Sequence, residues 1–172
     1  LVEKYRDKLL GGKQVRKVRA TYAGMVESVD RAVGQVLDTL DELGLTNETL
    51  VIFTADNGGL GSVTDNRPLR GAKGWPYEGG LRVPCIVRWP GHVPAGRVSD
   101  AIFSTLDFMP TFATLAGYDV PRDRIIDGFD QTDLLLGKSE NGARDVFFYF
   151  CQNELHGLRS GKWKLLLPDL KK

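Results

Sequence analysis

Apolar positions recur along this chain with two different spacings. Between Lys17 and Leu43 they fall at Tyr22, Met25, Val26, Val29, Val33, Val36, Leu37, Leu40 and Leu43, in steps of three and four. That spacing draws one stripe on an amphipathic helix, and it predicts a helix over 17–43 whose stripe packs into a core. Gly44 supplies the residue just past its end, while Asp41 and Glu42 oppose the macrodipole in the last turn. After a turn at Thr46-Asn47-Glu48-Thr49 the pattern changes. Leu50-Val51-Ile52-Phe53-Thr54 is a continuous apolar, β-branched run that stops at Ala55-Asp56-Asn57-Gly58-Gly59. This predicts a buried strand of the parallel type reaching the edge of its sheet. A helix followed closely by such a strand is half of a right-handed βαβ crossover.

Further along, Val83 to Trp89 predicts a second buried strand beside the first, closed by Pro90-Gly91. Residues 60–82 between them are poor in apolar side chains and rich in glycine and arginine; a loop this long inside a compact domain is usually functional or disordered, and its aromatic and proline anchors argue for order. Val98 to Ile102 suggests a short strand. Asp107 to Gly117 reads as a helix with Pro110 near its first turn and glycine past its end. Residues 118–145 read mostly as loop, with an apolar turn at Leu134-Leu135-Leu136. A strand is expected from Asp145 to Phe150, and a hairpin over 155–167 turning at Ser160-Gly161-Lys162. Residues 1–16 read as a short helix and loop. The expected class is α/β, a sheet flanked by helices plus a small C-terminal antiparallel sheet.

Composition narrows the function only by exclusion. A chain of 172 residues is large enough for a real core, and its net charge of +1 gives no support for a nucleic-acid partner. No apolar run approaches the ~20 residues of a membrane span. The opening Leu1-Val2-Glu3-Lys4 is not a signal peptide, and a start without Met suggests a fragment or processed chain, so the compartment stays unknown. The two cysteines, Cys85 and Cys151, form no metal-spaced cluster. Both end or open apolar runs and are expected as small buried hydrophobes. Asn47-Glu48-Thr49 fits the glycosylation pattern, but the plain turn is the simpler reading.

The candidate chemistry sits where the first strand ends. In open α/β sheets ligands gather outside the carboxyl ends of strands. Asp56 and Asn57 offer one anionic and one neutral oxygen there, donors suited to Ca²⁺ or Mg²⁺. The alternative is that Asp-Asn-Gly-Gly is only a turn. Lys73, flanked by Gly71, Ala72 and Gly74, can bring positive charge to an oxyanion. Arg70 and Arg82 could do the same; for Arg82 a salt bridge to Glu78, four residues earlier, is preferred.

Taken in order, these motifs form a recognisable set. Phe53-Thr54-Ala55-Asp56-Asn57-Gly58-Gly59, Leu69-Arg70-Gly71-Ala72-Lys73-Gly74 and Tyr77-Glu78-Gly79-Gly80-Leu81-Arg82-Val83-Pro84 resemble the second half of a type I sulfatase. Asp30-Arg31-Ala32-Val33-Gly34, Trp89-Pro90-Gly91, Asp107-Phe108-Met109-Pro110-Thr111, Asp127-Gly128 and Leu158-Arg159-Ser160-Gly161-Lys162-Trp163-Lys164-Leu165 extend the likeness over most of the chain.

The resemblance implies an alkaline-phosphatase-like fold and hydrolysis of sulfate esters. It makes Asp56 and Asn57 two ligands of a divalent cation, usually Ca²⁺, with Mg²⁺ as the other choice. Lys73 becomes a catalytic contact to a sulfate or leaving-group oxygen. Arg70 and His156 become candidate substrate contacts, although a surface histidine is the plainer reading of His156. Asn57 suits a single-metal oxygen site better than the His-rich two-metal sites of phosphatase relatives.

One departure matters. The family's formylglycine nucleophile arises from Cys or Ser before x-Pro-Ser-Arg, and neither cysteine nor any serine here has that context. The chain is therefore expected to be the C-terminal portion of a sulfatase and inactive alone. Residues 1–118 would belong to the α/β catalytic domain and 119–172 to a C-terminal subdomain. Expected partners are a sulfated small molecule or glycan, with no nucleic acid, no membrane span, and self-association through an exposed sheet edge. The family suggests a periplasmic, secreted or lysosomal setting. The alternatives are a phosphatase or phosphonate hydrolase of the same superfamily, or a non-catalytic truncated member.

Overall fold

The computed structural model describes residues 1–9 and 17–168, in which two compact units are distinguished, 1–89 and 90–172. The expected loop at 10–16 lies outside the described residues.

In the first unit, α1 (Val2–Leu9) packs on α2 (Lys17–Glu42). Lys4 bonds Glu27 at 2.9 Å, and Ala20 is fully buried. Lys4 and Tyr5, through their hydrogen bonds to Glu27, hold its carboxyl down at about 2. The predicted end of α2 is confirmed in detail. Gly44 takes φ +67°, the Leu45 amide donates to the Leu40 carbonyl and the Gly44 amide to that of Asp41. These two bonds satisfy carbonyls that the helix terminus leaves over.

The stripe on α2 is a correction. Val33, Leu37 and Leu40 are half-buried, but Tyr22, Met25, Val26, Val29, Val36 and Leu43 are exposed. The neighbours explain it: α2 packs on α1 and on the 3₁₀ turn that follows it, which leaves much of its apolar face uncovered among the described residues.

After the 3₁₀ turn Thr46–Glu48 come β1 (Val51–Thr54) and, beyond a long connection, β2 (Cys85–Arg88). They pair as neighbours, as expected, but antiparallel, with Val51 opposite Arg88 and Thr54 opposite Cys85. The parallel pairing is thus overturned for these two strands. The connection leaves and re-enters the sheet at the same end, so no crossover is made and the whole of 55–84 is gathered beyond the end of β1. Trp89 Nε1 donates to the Asn47 carbonyl at 2.8 Å and pins the exit of β2 beside the entry to β1.

Cys85 is exposed, not buried, because it opens a strand at the sheet end; partial desolvation still raises its thiol. Cys151 is exposed at the tip of a hairpin, and both thiols are free.

In the second unit no strand forms at 98–102. That segment is unpaired with another strand, and Val98 is 89% exposed. A 3₁₀ turn at Thr105–Asp107 runs into α3 (Phe108–Leu115), with Pro110 in its first turn and Gly117 at φ +77° after its end. Ser104 accepts from the Leu106 amide while the Asp107 carboxylate accepts from the Ser104 amide, a reciprocal cap. The apolar turn at 134–136 is the short helix α4 (Thr132–Leu135). Strands β3 (Val146–Cys151), β4 (Glu154–Ser160) and β5 (Trp163–Leu166) form the expected antiparallel sheet in the order β3-β4-β5. Ser160 faces Trp163 across the predicted two-residue turn, where Gly161 takes φ +52°.

Asp107 stands at the centre of this unit. Its carboxylate accepts from the Phe129 amide at 2.9 Å, the Ser104 amide at 2.9 Å, Gln131 Nε2 at 3.3 Å, and Arg144 through Nη2 at 2.5 Å and Nε at 3.2 Å. Arg144 also donates to the Asp127 carbonyl at 2.8 Å and lies over the Phe129 ring. Gln131 Oε1 accepts from the Ala143 amide at 2.8 Å, and Thr111 Oγ1 donates to the Asp107 carbonyl at 2.6 Å. Asp107 and Thr111 have no exposed surface, so this satisfied polar cluster is the core of the unit.

Candidate active-site loop

Five backbone contacts fold the segment 55–84 back on itself at the end of β1. The Gly58 amide donates to the Gly80 carbonyl at 2.9 Å, and the Lys73 amide to the Gly59 carbonyl at 3.0 Å. The Gly79 amide reaches the Arg70 carbonyl at 2.7 Å, the Trp75 amide the Ala72 carbonyl at 2.9 Å, and the Arg82 amide the Glu78 carbonyl at 2.8 Å. The glycines permit this closeness. A Cβ on Gly58 would stand 1.9 Å from the Gly79 carbonyl oxygen, and one on Gly80 would stand 2.2 Å from that of Trp75. Both distances are far inside contact, so only glycine fits.

The fold of this loop brings together three of the predicted residues. Asp56 and Asn57 follow β1 directly, and Lys73 is tied by its own backbone amide to Gly59, two residues beyond Asn57. Among the described residues, none of these three side chains has a hydrogen bond or ion pair, although Asp56 and Lys73 carry full charges. Asp56 and Lys73 are exposed and Asn57 half-buried. Arg70 lies in the same loop with its guanidinium 3.9 Å over the Tyr77 ring, a cation–π contact that holds it without neutralising it. Arg82 and Glu78 are joined by the backbone bond above, and neither residue is without a partner. His156 belongs to the second unit, on β4, with Nε2 4.0 Å from Glu154.

For a hard cation, Asp56 and Asn57 offer suitable chemistry: two side-chain oxygen donors, one of them anionic, with no competing partner among the described residues. Two such residues fall short of the ~6–8 oxygens that Ca²⁺ takes, so the pair by itself does not make a cation site. Among the described residues no group of three or more His, Cys, Asp or Glu side chains lies close enough to hold an ion.

Sequence reasoning missed Asn66, whose amide donates to two loop carbonyls, and Tyr77 as the platform for Arg70. The spacing of neither residue carries a signal, because both contacts cross a loop with no periodicity. In the second unit a polar depression of about 470 Å³ is lined in part by Thr114, Asp130, Asp133 and Lys138; none of the predicted site residues reaches it.

The sulfatase family profile matches residues 3–118, and the profile of the N-sulphoglucosamine sulphohydrolase C-terminal region matches 72–166. Steryl-sulfatase of Mus musculus is 43% identical over 162 residues, covering 87% of this chain and 26% of that protein. Arylsulfatase A of Homo sapiens is 40% identical over 157 residues, covering 87% of this chain and 31% of its own. The chain thus spans about a quarter to a third of the length of these relatives. Among solved structures, Ps i-CgsB superposes with a TM-score of 0.80 at 37% identity, over 93% of this chain and 36% of its own. PsFucS1 sulfatase from Pseudoalteromonas sp. gives 0.76 at 32% identity, over 95% and 32%. These neighbours carry the alkaline-phosphatase-like fold. Placed by profile, identity and fold together, the chain belongs to the sulfatase family.

Proposed function

We propose that this chain is the C-terminal portion of an enzyme that hydrolyses sulfate esters, and that it supplies two cation ligands and a cationic contact to the sulfate group. The observation that carries the reading is the placing of Asp56, Asn57 and Lys73, whose side chains have no partner among the described residues, in one loop fixed by the bond between the Lys73 amide and the Gly59 carbonyl. Charged side chains left unpaired in a tightly built loop are poised for a ligand.

Asp56 and Asn57 would hold a divalent cation, Ca²⁺ by preference, together with oxygens from elsewhere in the protein. Bound there, the cation supplies Lewis-acid stabilisation of negative charge on the sulfate group. Lys73 donates from its ammonium group to a sulfate or leaving-group oxygen, where its charge counts most as the ester bond breaks. Arg70, stiffened by Tyr77, offers a second cationic contact. The formylglycine nucleophile would come from sequence outside these residues, since Cys85 precedes Ile86-Val87-Arg88 and Cys151 precedes Gln152-Asn153-Glu154. His156 is a candidate substrate contact.

A sulfated sugar is the substrate class we favour. Ps i-CgsB has been solved with a neocarrahexaose and BT4656 with D-glucosamine-2-N,6-O-disulfate. The test is turnover of sulfate and phosphate esters by the full-length enzyme with Lys73→Ala or Asp56→Ala. Loss of most sulfatase activity in both supports the reading. Near-normal turnover in both, or faster phosphate ester hydrolysis by the unaltered enzyme, overturns it.

A further inference from the structure

We infer that Asn66 is a positioning residue that sets Lys73 relative to the Asp56-Asn57 pair. The inference rests on the proposed role of Lys73 and goes beyond it. Asn66 Nδ2 donates to the Gly59 carbonyl at 2.9 Å and to the Gly71 carbonyl at 3.2 Å. Two carbonyl acceptors require the donor end of the amide, which fixes its orientation. The first acceptor lies two residues beyond Asn57, and the second lies two residues before Lys73. One side chain therefore joins the turn that carries the oxygen ligands to the loop that carries the lysine.

The Gly59 carbonyl shows how tight the joint is. It accepts from the Lys73 amide at 3.0 Å as well as from Asn66, so both of its lone pairs are committed. A Cβ on Gly59 would fall 2.4 Å from Asn66 Oδ1 and 2.4 Å from Thr64 Oγ1. Asn66 is half-buried, and Thr64, itself bonded to the Leu60 carbonyl at 2.9 Å, leans on it at 3.4 Å. The Lys73 amide holds one point of the loop and the Gly79 amide holds the Arg70 carbonyl; the second donor of Asn66 ties the Gly71 carbonyl directly to the Gly59 turn. Catalytic groups held in this way lose about 10²-fold when displaced by about 1 Å.

A double-mutant cycle in the full-length enzyme tests this, read as kcat/KM per folded molecule. Asn66→Ala should lower kcat/KM about 10- to 100-fold, chiefly in kcat. On the Lys73→Ala background the same change should cost less than about threefold, because a residue acting through Lys73 has nothing left to position. Equal losses on both backgrounds would show that Asn66 acts independently of Lys73 and would overturn the inference, as would an unchanged kcat/KM for Asn66→Ala alone. If Asn66→Ala does not fold, the cycle is run with Asn66→Ser, which keeps one donor; a loss that vanishes on the Lys73→Ala background supports the inference and a persistent one overturns it. Failure of the underlying reading looks different. Lys73→Ala would then leave turnover near normal, whatever Asn66 does.

Discussion

The loop at 56–82 and the cluster around Asp107 use the same kinds of side chain in opposite ways. Around Asp107 both carboxylate oxygens are taken by amides and a guanidinium, and Asp107 itself has no exposed surface. In the loop the scaffolding is backbone, glycine contact and the Asn66 amide, while the side chains of Asp56, Asn57 and Lys73 have no partner among the described residues. A polar residue that is buried and fully satisfied specifies a fold; one that is held in place yet unsatisfied is available to a ligand. Identity of residue type does not separate the two. Accounting for partners does.

The sharpest way to break this contrast is Asp107→Ala. It strands the Arg144 guanidinium, which is 7% exposed, and should destabilise the second unit by about 3–5 kcal/mol in urea denaturation followed by Trp163 fluorescence. Lys73→Ala in the full-length enzyme should show the reverse profile. Turnover should drop by about 10²-fold or more with little change in melting temperature, since the exposed Lys73 side chain makes no bond among the described residues. A Lys73 variant that melted early would place Lys73 with Asp107 and end the distinction.

Gly79→Ala probes the scaffold. Its Cβ would stand 2.3 Å from the Gly71 carbonyl oxygen, so a cost of about 1–3 kcal/mol and a loss of activity are expected together. Acid should weaken the second unit. Burial pushes the Asp107 carboxyl up, but its bonds to Arg144, Phe129 and Ser104 outweigh this and leave it below its ordinary value. A depressed carboxyl stabilises the fold above its unfolded-state value of about 4, and that contribution should fade as pH falls further. Asp107→Asn should flatten this part of a stability–pH curve. The smallest effect belongs to Asp65→Asn. Its pair with Arg67 is 59% and 85% exposed, so melting temperature and turnover should not change measurably.

Much of this was legible in the sequence, and the failures share a cause. The end of α2 at Gly44, the proline and glycine bracketing α3 and the turn at Gly161 were readable because each depends on residues a few positions apart. The strand ending in Asp56-Asn57 was readable for the same reason. The pairing direction of β1 and β2 was not, because it depends on where the long loop returns. Burial of the α2 stripe was read correctly at Val33, Leu37 and Leu40 and wrongly at Met25 and Val29, since periodicity says which face is apolar and not what covers it. Asn66 and Asp107 were invisible as structural centres because their partners lie across turns without any repeat.

The rung that joins Thr54 to Cys85 has a practical consequence. Because a single ladder step closes the segment between them, that segment behaves as a cassette: both of its ends are anchored side by side in one hairpin-like stem. Exchanging 55–84 with the matching stretch of a related enzyme should carry Asp56, Asn57, Asn66 and Lys73 across as one preassembled insert, leaving the stem strands of the recipient undisturbed.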